Sequence, residues 1–118
     1  MTTDDFRQLA LSLPDVQERH VLGCQEFRVR DRIFATLGSP DPGHAVLKLA
    51  AKDQVQLLTH CLEAAPEPGG RGQRGFTRLR LAGLSPDQLK SALTAAWRHG
   101  AAAGGPRAST ARVAPGRP

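Results

Sequence analysis

Arginine and glycine are concentrated in one stretch of this 118-residue chain, between Pro68 and Pro86. The stretch contains no acidic residue, and it opens with the glycine-rich segment 69–75. A guanidinium group donates to phosphate through a planar fork and keeps its charge at neutral pH. The stretch therefore predicts contact with a polyanion. Its four arginines are Arg71, Arg74, Arg78 and Arg80.

Two predicted strands carry arginine at every second position. Arg28 and Arg30 alternate with apolar residues in the first strand, and Arg78 and Arg80 do so in the second. Because side chains alternate between the faces of a sheet, all four would share the face opposite the apolar residues. Lys48 would join them, with the arginines of the glycine-rich segment at the rim. The alternative is an ordinary solvated face, which any half-buried sheet requires.

The glycine-rich segment does not have the features of a phosphate-binding P-loop. It lacks the Gly-Lys-Ser/Thr sequence, and it leads into a strand instead of a helix. A mobile loop is the favoured interpretation. Phe34 and Phe76 lie in alternating strands, where aromatic side chains mostly fill the core, although stacking on bases is the alternative for both.

Other reactive side chains do not form a recognisable site. Cys24 and Cys61 make no CxxC pair, so both are predicted to be free thiols that act as small apolar residues. His20 with Cys24 is the nearest approach to a ligand pair, whereas a metal needs three or four convergent ligands. No catalytic motif is visible. The sequence thus predicts no metal, no cofactor and no enzymatic activity.

The overall charge is weak support for a nucleic-acid partner. The formal charge is +5, but residues 1–99 hold 13 basic and 11 acidic side chains, a balance of only +2. Any argument for binding must rest on local clusters. The polar, acidic start resembles no secretory signal, and no apolar stretch approaches the length of a membrane helix. We therefore expect a cytoplasmic protein that makes no membrane contact.

Periodicity and turn residues predict seven elements in the order α-β-β-β-α-β-α. The first helix is capped by Thr2 or Thr3 and ends at Pro14, and the last begins with a capping box at Ser85 and runs to about His99. Between them, Val55, Leu58 and Leu62 share helical spacing and predict a second helix from Ala51 to about Leu62. The predicted strands are 25–30, 33–37, 45–49 and 76–81.

The chain resembles the small bacterial family known as MmcQ/YjbR. The resemblance rests on several short pieces whose order and spacing agree with the family over most of residues 4–99. These pieces are FRQLALSLP at 6–14, FRV at 27–29, IFA at 33–35, GQRGFT at 72–77 and a helix at 89–97 that ends in Ala96-Trp97.

The resemblance implies an α+β fold of the CyaY-like or secretion-chaperone-like kind, an antiparallel sheet with helices packed on one face. Members of the family are commonly described as DNA-binding. This chain departs from the family at two positions: Arg71 stands where an aromatic residue is frequent, and Phe76 stands where Trp is common. A stacking platform built on those aromatic residues would be weaker here. The acidic first-helix ridge through which frataxin-like proteins carry iron is reduced to Asp4 and Asp5, so iron delivery is not implied.

Together these observations predict one domain over residues 1–99 and a disordered tail over 100–118. The predicted function is non-enzymatic binding of nucleic acid, double-stranded DNA in the first instance, through phosphate contacts. The alternative is a protein- or peptide-binding module, or a homodimer, without nucleic-acid binding. The residues predicted to contact phosphate are Arg28, Arg30, Arg71, Arg74, Arg78 and Arg80.

Overall fold

The computed structural model of the chain describes residues 2–38 and 42–103, and its centre is a six-stranded antiparallel sheet of order β1-β2-β3-β4-β6-β5. Four helices accompany the sheet, so the predicted α+β class is confirmed. The strands are β1 Val16–Val21, β2 Cys24–Val29, β3 Arg32–Leu37, β4 His44–Lys48, β5 Ala64–Pro66 and β6 Phe76–Arg80. The helices are α1 Thr3–Ser12, α2 Ala51–His60, α3 Gly70–Gln73 and α4 Pro86–Ala103.

Tight two-residue turns connect the first three strands. Leu22 and Gly23 join β1 to β2 with φ of 49° and 81°, and Arg30 and Asp31 join β2 to β3 with φ of 51° and 65°. Two consecutive residues with positive φ are the mark of a type I′ hairpin, whose twist matches that of the flanking strands. The predicted hairpin of β2 and β3 is confirmed, but β2 ends at Val29 and not at Arg30.

Two strands and one helix were not predicted from the sequence. Residues 16–21 lie outside the four predicted strands, yet they form β1 and pair with β2 along their whole length. The proline-containing segment at 64–66 also lies outside them, yet it forms the edge strand β5 beside β6. Proline is tolerated at such an edge because no further strand needs its missing donor. The glycine-rich segment contains α3.

The helices α1 and α4 begin and end with specific hydrogen bonds. Thr2 and Asp5 form a capping box at the start of α1, and Ser85 and Gln88 form the predicted one at α4. The indole nitrogen of Trp97 donates to the backbone oxygen of Pro14 at 2.9 Å, which ties α4 to the end of α1. Helix α4 continues to Ala103, so the tail predicted from residue 100 starts with further helix. Residues 104–118 lie outside the described residues.

One apolar core lies between the sheet and helices α1 and α4. Phe6 of α1 and Phe27 of β2 are both fully buried, with ring centroids 5.8 Å apart. Leu89 and Leu93 of α4 pack into the same core. Helix α2 is less deeply packed: Leu57 contacts the core, whereas Val55, which helped to predict this helix, is 62% exposed. In the described part of the chain, no helix combines the length and apolarity that a membrane crossing requires.

Candidate functional site

The face of the sheet opposite α1 and α4 carries a cluster of two cations and one aromatic ring. The β4–β6 register places Lys48 directly opposite Phe76, and paired residues of neighbouring strands lie on the same face. The Lys48 ammonium lies 4.5 Å from the centroid of the Phe76 ring, and the Arg71 guanidinium carbon lies 4.4 Å from it. Lys48, Arg71 and Phe76 are called the Phe76 cluster below. Within residues 2–38 and 42–103, neither cation has a carboxylate partner.

The position of Phe76 corrects the expectation that this ring fills the core. Phe76 is half-buried and lies on the open face, whereas Phe34 is buried as expected. The reason is strand alternation: Phe76 has the same parity as Arg78, and Leu79 occupies the opposite parity in the core.

Arg71 is positioned by a glycine-rich segment that folds as one helical turn instead of a mobile loop. A side chain at Gly72 would overlap the backbone oxygen of Glu67, and one at Gly75 would overlap the backbone oxygen of Leu49. Gly75 also has a φ of 98° and accepts a hydrogen bond from the Leu49 amide at 2.9 Å. The glycines therefore allow α3 to pack closely against the sheet, which fixes the place where Arg71 emerges.

A polar network beneath α3 adds to this support. The Gln54 amide nitrogen of α2 donates to the backbone oxygen of Gly72 at 2.9 Å and to the Thr77 hydroxyl at 3.0 Å. Thr77 is fully buried and donates in turn to the backbone oxygen of Gly75 at 3.2 Å. Buried polar groups with satisfied hydrogen bonds make an arrangement specific. Gln54 carries no sequence signal that separates it from any solvent-facing helical glutamine.

Three of the predicted phosphate-binding arginines share the open face, but each forms an ion pair there. Arg78 donates to Glu67 through Nε at 3.0 Å and Nη2 at 2.8 Å. Arg80 lies 2.5 Å from a Glu63 carboxylate oxygen. The third arginine, Arg28, donates to Glu26 at 3.1 Å on its own strand. We call Arg28, Arg78 and Arg80 the paired arginines.

Arg30 does not share this face. It lies in the turn after β2, with a positive φ of 51°, and is exposed. The prediction that Arg30 follows the strand alternation of Arg28 is wrong because the hairpin turn begins one residue earlier. Arg74 caps the end of α3 and is exposed at the rim of the open face, and Arg71 reaches the ring of Phe76 instead of remaining at that rim.

A depression of about 490 Å³ adjoins the Phe76 cluster. Charged side chains line it at Arg28 of β2, at Asp31 in the β2–β3 turn and at Arg32 of β3, and His99 of α4 joins them. The Arg28 Nε is buried and, among the described residues, has no hydrogen-bond partner. The depression therefore continues the surface of the cluster with two arginines and one carboxylate.

The described residues contain no group of three or more histidine, cysteine, aspartate or glutamate side chains arranged to hold a metal ion. Cys24 and Cys61 are both free thiols, and Cys61 is buried. His20 pairs with Gln25 in the β1–β2 register and Cys24 pairs with Val21. Strand parity thus places His20 and Cys24 on opposite faces of the sheet.

The helix side of the molecule has a separate groove of about 420 Å³ between α2 and α4. Its walls include the apolar side chains of Leu57 and Ala92 together with the polar ends of Lys52 and Asp53. Leu62, which follows the groove residue Cys61 in the chain, is fully exposed. A groove with apolar side chains in its walls is a feature of binding surfaces for proteins or peptides.

Comparison with known proteins identifies relatives through both sequence and fold. The YjbR family model matches residues 11–99 of the chain. A solved structure, that of the Deinococcus radiodurans protein DR2400 with a DUF419 domain, superimposes with a TM-score of 0.66 at 22% identity. The match covers 81% of this chain and 75% of that one, and at this identity it establishes a shared fold. No curated protein matches the chain.

Proposed function

The chain belongs to the YjbR family, and from the geometry of its open sheet face we propose that it binds nucleic acid by contacting phosphates through the Phe76 cluster. The observation that carries this proposal is the convergence of Lys48 and Arg71 on one ring without a carboxylate partner among the described residues. Two uncompensated positive charges on a supported surface favour an anionic ligand. The common description of family members as DNA-binding agrees with this choice.

The two cations differ in the contact each one offers. The Lys48 ammonium is a compact point charge, whereas the Arg71 guanidinium can donate to two phosphate oxygens at once. Arg32 at the edge of the adjoining depression and Arg74 at the end of α3 supply further positive charge. The modest balance of +2 over residues 1–99 is compatible with binding because the charge that matters is local.

The paired arginines contribute less in this proposal. A phosphate that approaches Arg78 or Arg80 must compete with Glu67 or Glu63 and is repelled by the same carboxylates. Their main effect is to organise the open face between β6 and β5. This revises the sequence-based prediction, in which these arginines were the principal phosphate contacts.

Titration of a fluorescent 20-base-pair DNA duplex with the full chain over a range of salt concentrations tests the proposal. Removal of two phosphate contacts in Lys48→Ala/Arg71→Ala should flatten the slope of log affinity against log salt by about 1.8, and lower affinity at 0.1 M salt by roughly 60-fold. The matched control is Lys90→Ala/Arg98→Ala, which removes the same charges from exposed positions of α4. Equal salt slopes for the two double variants would overturn the proposal.

A protein- or peptide-binding function is the second candidate, and the groove between α2 and α4 is the observation that favours it. Exposed Val55 and Leu62 lie on or just beyond α2. In this case a self-complementary or partner-bound surface would give a concentration-dependent mass in light scattering. A Leu62→Ser variant would abolish that dependence, whereas a mass equal to one chain at all concentrations would count against self-association.

A further inference from the structure

We infer that the Phe76 cluster receives an unpaired base as well as a phosphate, so that the protein binds single-stranded nucleic acid more tightly than a polyanion of the same charge that lacks bases. This inference rests on the proposed function. It adds the chemical class that the cluster selects: a nucleotide whose base is not engaged in a duplex.

Apolar side chains adjoin the cluster, which phosphate contact alone does not require. Ile33, Thr36 and the buried Val46 border a small cavity together with the three residues of the cluster. Ile33 is 37% exposed even though it is a large apolar side chain on a sheet. Surfaces that bind single strands combine aromatic or apolar platforms with a positive groove, because every base has an apolar face. A duplex backbone presents no such face.

The two cations suit the two halves of a nucleotide. Arg71 is exposed while its guanidinium carbon lies 4.4 Å from the Phe76 centroid, so the ring orients a planar cation at the surface. Guanidinium planes stack on nucleic-acid bases as well as on aromatic rings. Lys48 lies on the neighbouring strand and offers a point charge for the adjoining phosphate. Base and phosphate would thus contact different cations of one cluster.

The cluster is organised before any ligand arrives. Gly72 and Gly75 fit α3 closely against the sheet, and Gln54 joins α3 to Thr77 from below. Because the backbone that carries Arg71 is already ordered, binding loses less conformational entropy there than it would on a mobile loop. This favours a small, defined contact over a diffuse electrostatic one.

The neighbouring acidic residues restrict the footprint. Glu63 and Glu67 stand beside the paired arginines of β6 and repel a backbone that follows the sheet in that direction. On the other side the depression is lined by Arg28, whose Nε is buried and unpartnered among the described residues, and by Arg32, with the single carboxylate of Asp31 in the turn between them. A path from the cluster into this depression accommodates a short flexible strand more readily than a rigid duplex.

The test measures binding of the full chain to a fluorescent 20-nucleotide thymidine strand and to an abasic strand of the same length. The abasic strand keeps the phosphates and lacks the bases. We expect about tenfold tighter binding of the thymidine strand, which is within the range of base–aromatic stacking. Arg71→Lys should reduce this preference to about twofold or less without changing the salt slope. Lysine keeps the positive charge but lacks the planar guanidinium group.

Arg98→Lys is the matched control, because Arg98 is exposed on α4, lies outside the proposed site and has no ring contact in the described residues. It should leave the preference unchanged. Phe76→Leu retains an apolar side chain and should also reduce the preference, with the melting temperature measured to verify folding. Equal affinity of the wild-type chain for both strands overturns this inference and leaves the proposed function intact. If the chain binds neither of the two strands nor the duplex, this inference and the proposed function are both overturned.

Discussion

The open face carries two cations near each end of strand β6, but in different electrostatic states. At one end Arg78 and Arg80 lie beside Glu67 and Glu63, which flank β5. At the other end Lys48 of β4 and Arg71 of α3 lie over the ring of Phe76, and neither has a carboxylate partner among the described residues. Strand alternation places cations on a face, but the segment at the sheet edge decides whether a carboxylate neutralises them.

This difference follows from a short edge strand and a glycine-rich turn. Exposed ion pairs contribute at most about 1 kcal/mol to stability, so the glutamates matter more for what they do to a ligand than for the fold. The glycine-rich turn matters for the fold and for a ligand, because its glycines set the path of the backbone and the position of Arg71.

The largest expected effect comes from a variant that disturbs the backbone supporting Arg71 of α3. Gly75→Ala introduces a side chain at a φ of 98° and into the Leu49 backbone oxygen, so we expect the free energy of unfolding to fall by about 3 kcal/mol. Urea denaturation measures this loss. Gly70→Ala at the start of α3 is the control, since its new side chain meets no atom within 4 Å and alanine favours helix. Equal stability of the two variants would show that α3 does not depend on close backbone packing.

The second prediction compares the two ends directly by affinity for a 20-base-pair duplex. Arg78→Ala/Arg80→Ala should weaken binding at 0.1 M salt by less than about fivefold, against roughly 60-fold for Lys48→Ala/Arg71→Ala. The reason is that Arg78 and Arg80 already form ion pairs with Glu67 and Glu63. A larger loss for the arginines of β6 would reverse the assignment and restore the sequence-based prediction.

The third prediction concerns a variant in which Arg78 and Arg80 lose their carboxylate partners. Glu63→Gln/Glu67→Gln keeps the shape of both side chains and removes the charges that hold Arg80 and Arg78. Duplex affinity at 0.1 M salt should rise roughly eightfold and the salt slope should steepen by about 0.9, because the two freed cations together gain about one phosphate contact. An unchanged slope would mean that these arginines do not reach a bound backbone even when they are free.

The fold was largely predictable because its main elements have strong local signals. The β2–β3 hairpin has clear alternation, and the capping box at Ser85 marks the start of α4. Strand β1 lacked such a signal because it is an edge strand whose interior is entirely polar, with Glu18 pointing to the helix side. Helix α3 was missed because Gly70 and Gly72 disfavour helix locally, and only packing against the sheet makes their lack of a side chain an advantage.

The candidate site was predictable in part for the same reason. Alternation correctly assigned Lys48 and Arg78 to the open face, and applied consistently it would also have placed Phe76 there. The ion pairs were not predictable because Glu63 and Glu67 flank a three-residue strand that the sequence did not reveal. Pairing depends on contacts between segments, whereas alternation is a property of one segment.

A fourth arginine–glutamate pair, on the helix side of the sheet, tests what pairing does where no nucleic acid competes, and it gives the smallest expected effect. Arg7 of α1 donates to both carboxylate oxygens of Glu18 in β1, at 2.8 and 2.9 Å, and Gln25 donates to the same carboxylate at 2.8 Å. The hydrogen bond from Arg7 is the main reason why the pKa of Glu18 lies below its usual value of 4.5. The ionised carboxylate is therefore favoured by folding.

A carboxylate whose folded pKa is depressed stabilises the fold above its unfolded pKa, and this contribution is lost as the pH falls through the folded pKa. The free energy of unfolding from urea titrations between pH 6 and pH 3 should therefore fall less steeply in Glu18→Gln than in the wild-type chain. Asp5 also has a lowered pKa, from its hydrogen bonds with Thr2, so Asp5→Asn corrects for the part of the acid sensitivity that belongs to the cap. If Glu18→Gln lost stability in parallel with the wild-type chain, a bidentate arginine would not be enough to hold a glutamate ionised on this sheet.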